Sequence, residues 1–214
     1  MSKRILLTSG IHGDERSGPY ILMDFMRHDD HCFVLNHRSY PNLYIDTIPI
    51  INPIGVAKGY RVNGDFVDLN RTFHDDECAR DPHETQIVKK ELCVRGEYDL
   101  LVSFHEEPDS EEFYLYDSGC GENSRLVKTV LDMASNYVPL LTEKNFDDFG
   151  NDVRAGYCQI KKGDKSPTFE EWAWRNHIAK RVLTIEIPGK IHLNQKISIG
   201  RDILTIILMI ENEE

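Results

Sequence analysis

No Cys-x-x-Cys pair occurs in the chain, although it carries five cysteines, Cys32, Cys78, Cys93, Cys120 and Cys158. Their scatter and odd number speak against a disulfide framework or a thiolate zinc knot, so reduced, mostly buried thiols are expected. There is no apolar run of the roughly 20 residues that span a bilayer. The strongly apolar "ILTIILMI" near the C-terminus is far shorter and reads as a core element. The opening "MSKRILLTSG" lacks the apolar segment and small-residue cleavage site of a signal peptide, so a cytoplasmic protein is expected. Positive charge is scarce: 25 Lys and Arg against 36 Asp and Glu leave a formal charge of −11. That speaks against nucleic acid and against an anionic membrane surface as partners, since both need a basic face. An anionic substrate must then be held by a local cluster of positive groups. Repeats, low-complexity tracts and linkers are also missing. At about 100–200 residues per domain, residues 1–214 read as one domain, with a hydrophobic share of 40% and a charged share of 29% that suit a globular chain.

What is present is an alternation of apolar runs and helical patterns. "RILLTS", "LYIDTIPIIN", "DLLVSF", "EFYLY" and "RVLTIEIP" read as strands. "SGPYILMDFMRH", entered through a serine cap, "DPHETQIVKKELCVR", "NSRLVKTVLDMASNYV" and "PTFEEWAWRNHI" read as helices. The glycine-dotted "GVAKGYRVNGDFVDLNRTF" has neither period and is expected to be a long ordered loop. From about Ser198 the tail reads as a buried helix. This alternation points to an α/β sandwich with a largely parallel sheet.

In open sheets of that kind, ligands sit beyond the carboxyl ends of the strands. His12 follows "RILLTS", His105 ends "DLLVSFH", and Glu186 lies near the end of "RVLTIEIP". His12 and Glu15 stand three apart in "GIHGDE", with Gly13 letting the backbone turn tightly between them. Together with His105 they offer two imidazoles and one carboxylate, the donor set of an open catalytic zinc site. In the glycine-rich loop, Arg61, Asn70 and Arg71 form a small cationic group within an acidic molecule. Arginine grips carboxylates through its planar guanidinium fork. Asp14, Glu106 and Glu107 lie near the histidines in sequence, although carboxylates in loops are mostly solvated. His28, His31 and His37 read as a solvated loop, and His74, His83, His177 and His192 as surface or capping residues. Trp172 and Trp174 read as core.

"GIHGDE", "NP-x-G" leading to "DLNR-x-F", "SFHE" and "TIEIP" stand in the order found in the zinc carboxypeptidase superfamily. The chain resembles that superfamily from about residue 4 to about residue 190. It includes the succinylglutamate desuccinylase and aspartoacylase branch and the bacterial murein-peptide amidases. The resemblance implies a three-layer α/β/α sandwich around a mixed, largely parallel sheet of eight strands. It implies one zinc ion held by His12, Glu15 and His105, with Asn70 and Arg71 gripping the substrate's free carboxylate. By the same resemblance Arg61 polarises the scissile carbonyl and Glu186 is the general base. Peptidases of the family use a tyrosine from a loop before the base, for which Tyr157 in "RAGYCQIKKG" is the nearest match. The implied activity is zinc-dependent hydrolysis of an amide next to a free carboxylate, in a small peptide or an amino-acid derivative. The peptidase reading leads, because the deacylase branch carries an added C-terminal β-domain and no such segment follows Glu186 here. An N-acyl-amino-acid deacylase and a non-catalytic zinc-binding homologue are the alternatives. Retention of Glu186 counts against the second, and the oligomeric state stays open.

Overall fold

The apolar residues after Lys3 form the first strand, β1 (Lys3–Ser9), and the first helix follows it, α1 (Ser17–His28). The computed structural model describes residues 2–28, 40–75, 81–119, 124–146, 151–160 and 166–213. In chain order come β2 (Leu43–Ile48), α2 (Pro53–Lys58), a 3-10 turn (Leu69–Arg71), α3 (His83–Arg95), β3 (Tyr98–Glu107) and β4 (Tyr114–Asp117). They are followed by α4 (Arg125–Ser135), β5 (Glu143–Phe146), β6 (Asn151–Arg154), β7 (Tyr157–Gln159), α5 (Phe169–Arg175), β8 (Ala179–Pro188) and α6 (Leu193–Glu213).

The eight strands form one sheet in the order β2-β1-β3-β8-β4-β7-β6-β5. β2, β1, β3 and β8 are mutually parallel. β4 runs antiparallel to β8 and parallel to β7, and β7, β6 and β5 continue as antiparallel neighbours. Because side chains alternate along a strand, Ile5, Leu7, Val102, Phe104, Leu183 and Ile185 share one face. Helices α1, α4 and α6 cover it with residues such as Ile21, Val127, Val130, Ile203 and Ile207. Leu6, Leu101 and Val182 point the other way, onto Val88 and Leu92 of α3 and Phe169 and Trp172 of α5. Each fully buried aliphatic or aromatic side chain contributes roughly 1.5–3 kcal/mol, so the two apolar layers hold the sheet between them. This is the three-layer α/β/α sandwich with a mixed central sheet that the sequence leads one to expect. Among the described residues no helix is long and apolar enough to cross a membrane.

The differences from the sequence reading are local. The expected long loop contains α2, whose Asn52 side chain accepts from the Gly55 N–H at 2.8 Å and whose C-cap is Gly59 at φ 70. Asn52, Pro53 and Gly59 are therefore a cap, a first helical residue and a left-handed stop. β5, β6 and β7 are three to four residues long, too short for any period to show in the sequence. α6 begins five residues before Ser198, with a polar first turn that carries the buried Lys196. α1 is not entered through a serine cap: the Ser17 hydroxyl has no partner, and Glu106 Oε1 accepts the Ser17 N–H at 2.6 Å instead. Cys93 is exposed and Cys158 buried, neither of them in a disulfide, while Cys32, Cys78 and Cys120 lie outside the described residues. His74, His83, His177 and His192 are exposed as expected; His31, His37 and the side chain of His28 lie outside the described residues.

Candidate metal centre

The loop that leaves β1 carries His12 and Glu15 and is held against α2. A Cβ on Gly13 would lie 1.9 Å from the Gly55 carbonyl carbon, so only glycine permits that approach. His105 stands at the end of β3, directly across from Glu186 in the register with β8. Glu186 in turn faces Tyr114 of β4. Ligand-competent atoms of His12, Glu15 and His105 all lie within 4.8 Å of one another, and all three residues are buried. His12 Nδ1 is 2.5 Å from Glu15 Oε1, and His105 Nδ1 is 2.9 Å from Glu15 Oε2. Both imidazoles thus turn the same nitrogen inward.

Their outer nitrogens are also engaged. His12 Nε2 is 3.2 Å from Asp68 Oδ1, and His105 Nε2 is 2.8 Å from Glu170 Oε1. Carboxylates in this position fix the tautomer and aim the ring of a ligating histidine. The nitrogen, nitrogen, oxygen donor set and its two outer carboxylates fit a divalent metal ion. None of Asp14, Glu106 and Glu107 plays this orienting part. Asp14 is exposed; the Glu106 carboxylate pairs with Lys196 and the start of α1; Glu107 Oε2 accepts from the Tyr114 hydroxyl at 3.0 Å. Sequence reasoning missed Asp68 and Glu170 as partners of the imidazoles, since nothing local marks either one.

Electrostatics follow this packing. Burial opposes charge on His105, but Glu15 and Glu170 outweigh it and raise its pKa well above the usual value. Burial likewise opposes charge on His12, and its bonds to Asp68 and Glu15 more than compensate, raising it. Against the same burial, the histidines hold Glu15 well below the usual carboxylate range and Glu170 at about 2. Glu186 goes the other way. Burial, with Glu15, Glu107 and Glu170 nearby, pushes it up to about 7 despite His105.

His12, Glu15, His105, Glu170 and Glu186 line a cleft of about 340 Å³. It also takes in Arg61, Asn70, Arg71, Tyr114, Tyr116, Glu171 and Trp174. Arg61 is anchored by Asp68 Oδ2 at 3.1 Å and reaches Glu15 Oε1 at 3.5 Å. Asn70 uses its side-chain oxygen on the Phe169 N–H at 2.8 Å, tying the 3-10 turn to the start of α5. Seven of the eight site residues named from sequence therefore share one cleft.

Tyr157 is the exception. It pairs with Leu115 on β7, so strand alternation sends its side chain into the apolar layer beneath α4 and α6, away from the cleft. The tyrosines that line the cleft are Tyr114 and Tyr116. Trp172 is core as expected, whereas Trp174 is only partly buried and lines the cleft.

Several solved structures share this architecture. A candidate metallopeptidase from Shewanella amazonensis superposes with a TM-score of 0.82 at 22% identity, covering 98% of this chain and 78% of its own. A metallo-carboxypeptidase from Burkholderia cenocepacia gives 0.67 at 14% identity, covering 98% and 57%. A succinylglutamate desuccinylase from Silicibacter gives 0.60 at 17% identity, covering 97% and 56%. At these identities the likeness speaks to the fold alone. No curated protein matches the chain. Residues 1–116, more than half of the chain and inclusive of His12, Glu15, Arg61, Asn70, Arg71 and His105, match the family described as the succinylglutamate desuccinylase/aspartoacylase catalytic domain, and the chain belongs to that family.

Proposed function

We propose that this chain is a zinc-dependent hydrolase of amide bonds that lie next to a free carboxylate. The observation that carries the reading is the convergence of His12, Glu15 and His105 in one cleft with Glu186 on one side and Arg61, Asn70 and Arg71 on another. Zinc bound there would supply Lewis-acid polarisation of the scissile carbonyl and acidify a water molecule. Glu186, with its carboxyl pushed toward neutrality, takes the proton from water and returns it to the leaving amine. Arg61 is already held by Asp68 and needs little reorganisation to stabilise the developing oxyanion. Arg71 and the Asn70 amide grip the substrate's carboxylate and hold the scissile bond beside the metal. We read residues 1–214 as one catalytic unit in this role.

The family match favours an acylated amino acid as the substrate. A C-terminal peptide is the second reading and would use the same groups. The test is to strip the protein of metal, restore zinc, and assay N-acyl amino acids and short peptides beside their amidated counterparts. Hydrolysis should return with zinc and fall at least about 10²-fold when the substrate's carboxylate is amidated. Zinc-loaded protein inert across the whole panel would reject the reading.

A further inference from the structure

Glu186 stands in a row of three. His105 on β3, Glu186 on β8 and Tyr114 on β4 are successive partners across the sheet, and all three line the cleft. Tyr114 lies directly opposite Glu186 in an antiparallel pair, which sets the two Cβ atoms about 4.5–5.5 Å apart. The imidazole thus flanks Glu186 on one side and the phenol ring flanks it on the other. Burial and neighbouring charges act on the Glu186 carboxylate, but among the described residues no hydrogen bond holds it. Its direction is then set by the side chains that wall it in.

The Tyr114 ring is held firmly enough to be such a wall. The residue is 2% exposed. Its hydroxyl donates to Glu107 Oε2 at 3.0 Å, and Tyr116 meets its ring in a T-shaped contact with centroids 5.6 Å apart. β3 and β4 are not neighbours: β8 runs between them, so they lie about 9–10 Å apart. The bond from Tyr114 to Glu107 therefore crosses β8 at the level of Glu186 and Pro188, whose side chains share a face. Leucine or phenylalanine would fill the space as well, but neither could make this crossing bond. Burial first, and then the Glu186 charge, push the phenol well above its ordinary pKa, so near neutrality it remains a donor to Glu107.

We propose that Tyr114 is a positioning residue: anchored by Glu107 and Tyr116, its ring confines the Glu186 carboxylate from the side away from His105 and keeps it turned toward the metal centre. The inference rests on reading Glu186 as the base. Tyr114 acts through Glu186, so its loss lowers turnover and leaves the binding of metal and substrate in place.

Two variants test it, Y114F, which keeps the ring and loses the bond to Glu107, and Y114L, which removes the ring. Both are compared with wild type as zinc-loaded proteins, by steady-state assay on N-acyl amino acids and short peptides and by crystallography. In Y114L kcat should fall about 100-fold with KM changed less than about twofold, zinc should stay stoichiometric, and the Glu186 carboxylate should turn into the vacated space. In Y114F kcat should fall about fivefold; should Y114L not fold, wild-type kcat in Y114F overturns the assignment. A fall confined to KM, a loss of zinc, or Glu186 unmoved in Y114L also overturns it. Wild-type protein that hydrolyses nothing would remove the proposed activity instead, and the direction of Glu186 in the crystal structures would then decide this inference alone.

Discussion

Glu170 Oε1 accepts hydrogen bonds from both His105 Nε2 and Ser103 Oγ, each at 2.8 Å. A helix residue 65 positions downstream thereby fixes the orientation of an imidazole at the end of β3. Ser103 and His105 share a face of that strand, so one carboxylate oxygen spans both. E170Q weakens this charge-assisted support while keeping the shape. It should lower metal affinity about 10–100-fold, as measured by competition with a chromophoric chelator. Wild-type affinity in E170Q would dismiss Glu170 as an orienting group.

Glu186 sits across from His105 without bonding to it, which separates proton transfer from metal binding. E186Q should therefore retain stoichiometric metal and lose nearly all turnover. Elemental analysis beside steady-state assays checks the pair of outcomes, and near-normal turnover would take Glu186 out of the role.

Arg71 is exposed at the cleft, and one of its nitrogens donates to the Asn70 carbonyl at 2.8 Å. R71A should raise KM most for substrates with a free carboxylate and much less for amidated ones. An equal rise for both would contradict the grip.

Lys196 of α6 and Glu106 of β3 form a buried pair, with side chains 11% and 7% exposed. Glu106 also receives the first N–H of α1, and its own N–H donates to Glu15 Oε2 at 3.2 Å. K196M leaves that carboxylate buried and uncompensated, which should destabilise the fold by about 3–5 kcal/mol. Urea unfolding measures this, and E106Q in the K196M background should recover part of the loss.

Protons compete with the metal. His12 and His105 have raised pKa values in the metal-free protein, so both must give up protons to ligate. Affinity should therefore fall as pH falls, by about tenfold per pH unit for each proton displaced. Calorimetry in buffers of different ionisation enthalpy counts those protons. Stability of the metal-free protein follows the same signs. The raised His105 contributes fully below its unfolded pKa of 6.5, and that contribution is lost as pH rises through its folded value. The lowered Glu15 and Glu170 contribute above their unfolded pKa of 4.5 and lose that contribution as pH falls through their folded values. Metal-free protein should thus lose stability on both sides of the mildly acidic range, as urea midpoints across pH would reveal.

Much of this was legible from residue order. The strand that leads into His12 and the strands that bear His105 and Glu186 are continuous apolar runs, because both of their faces are buried. His12 and Glu15 are close in sequence, so their convergence needs only one short loop against α2. The short strands β5 to β7 escaped notice because three or four residues carry too little pattern. Tyr157 was misread for the same reason: without the register of β7 its facing is undetermined, and a shift of one residue reverses it.

By itself the sequence determined the layered α/β architecture, the three inward-facing donors and the arginine-bearing segment, since each rests on local period or short spacing. Tertiary structure alone decided that Glu170 and Asp68 orient the imidazoles, that Glu106 caps α1 against Lys196, and that Tyr114 and Tyr116 face the cleft while Tyr157 does not. Those relations join residues tens of positions apart through strand register and helix docking. Side-chain packing in three dimensions selects such partners, and no interval along the chain encodes them.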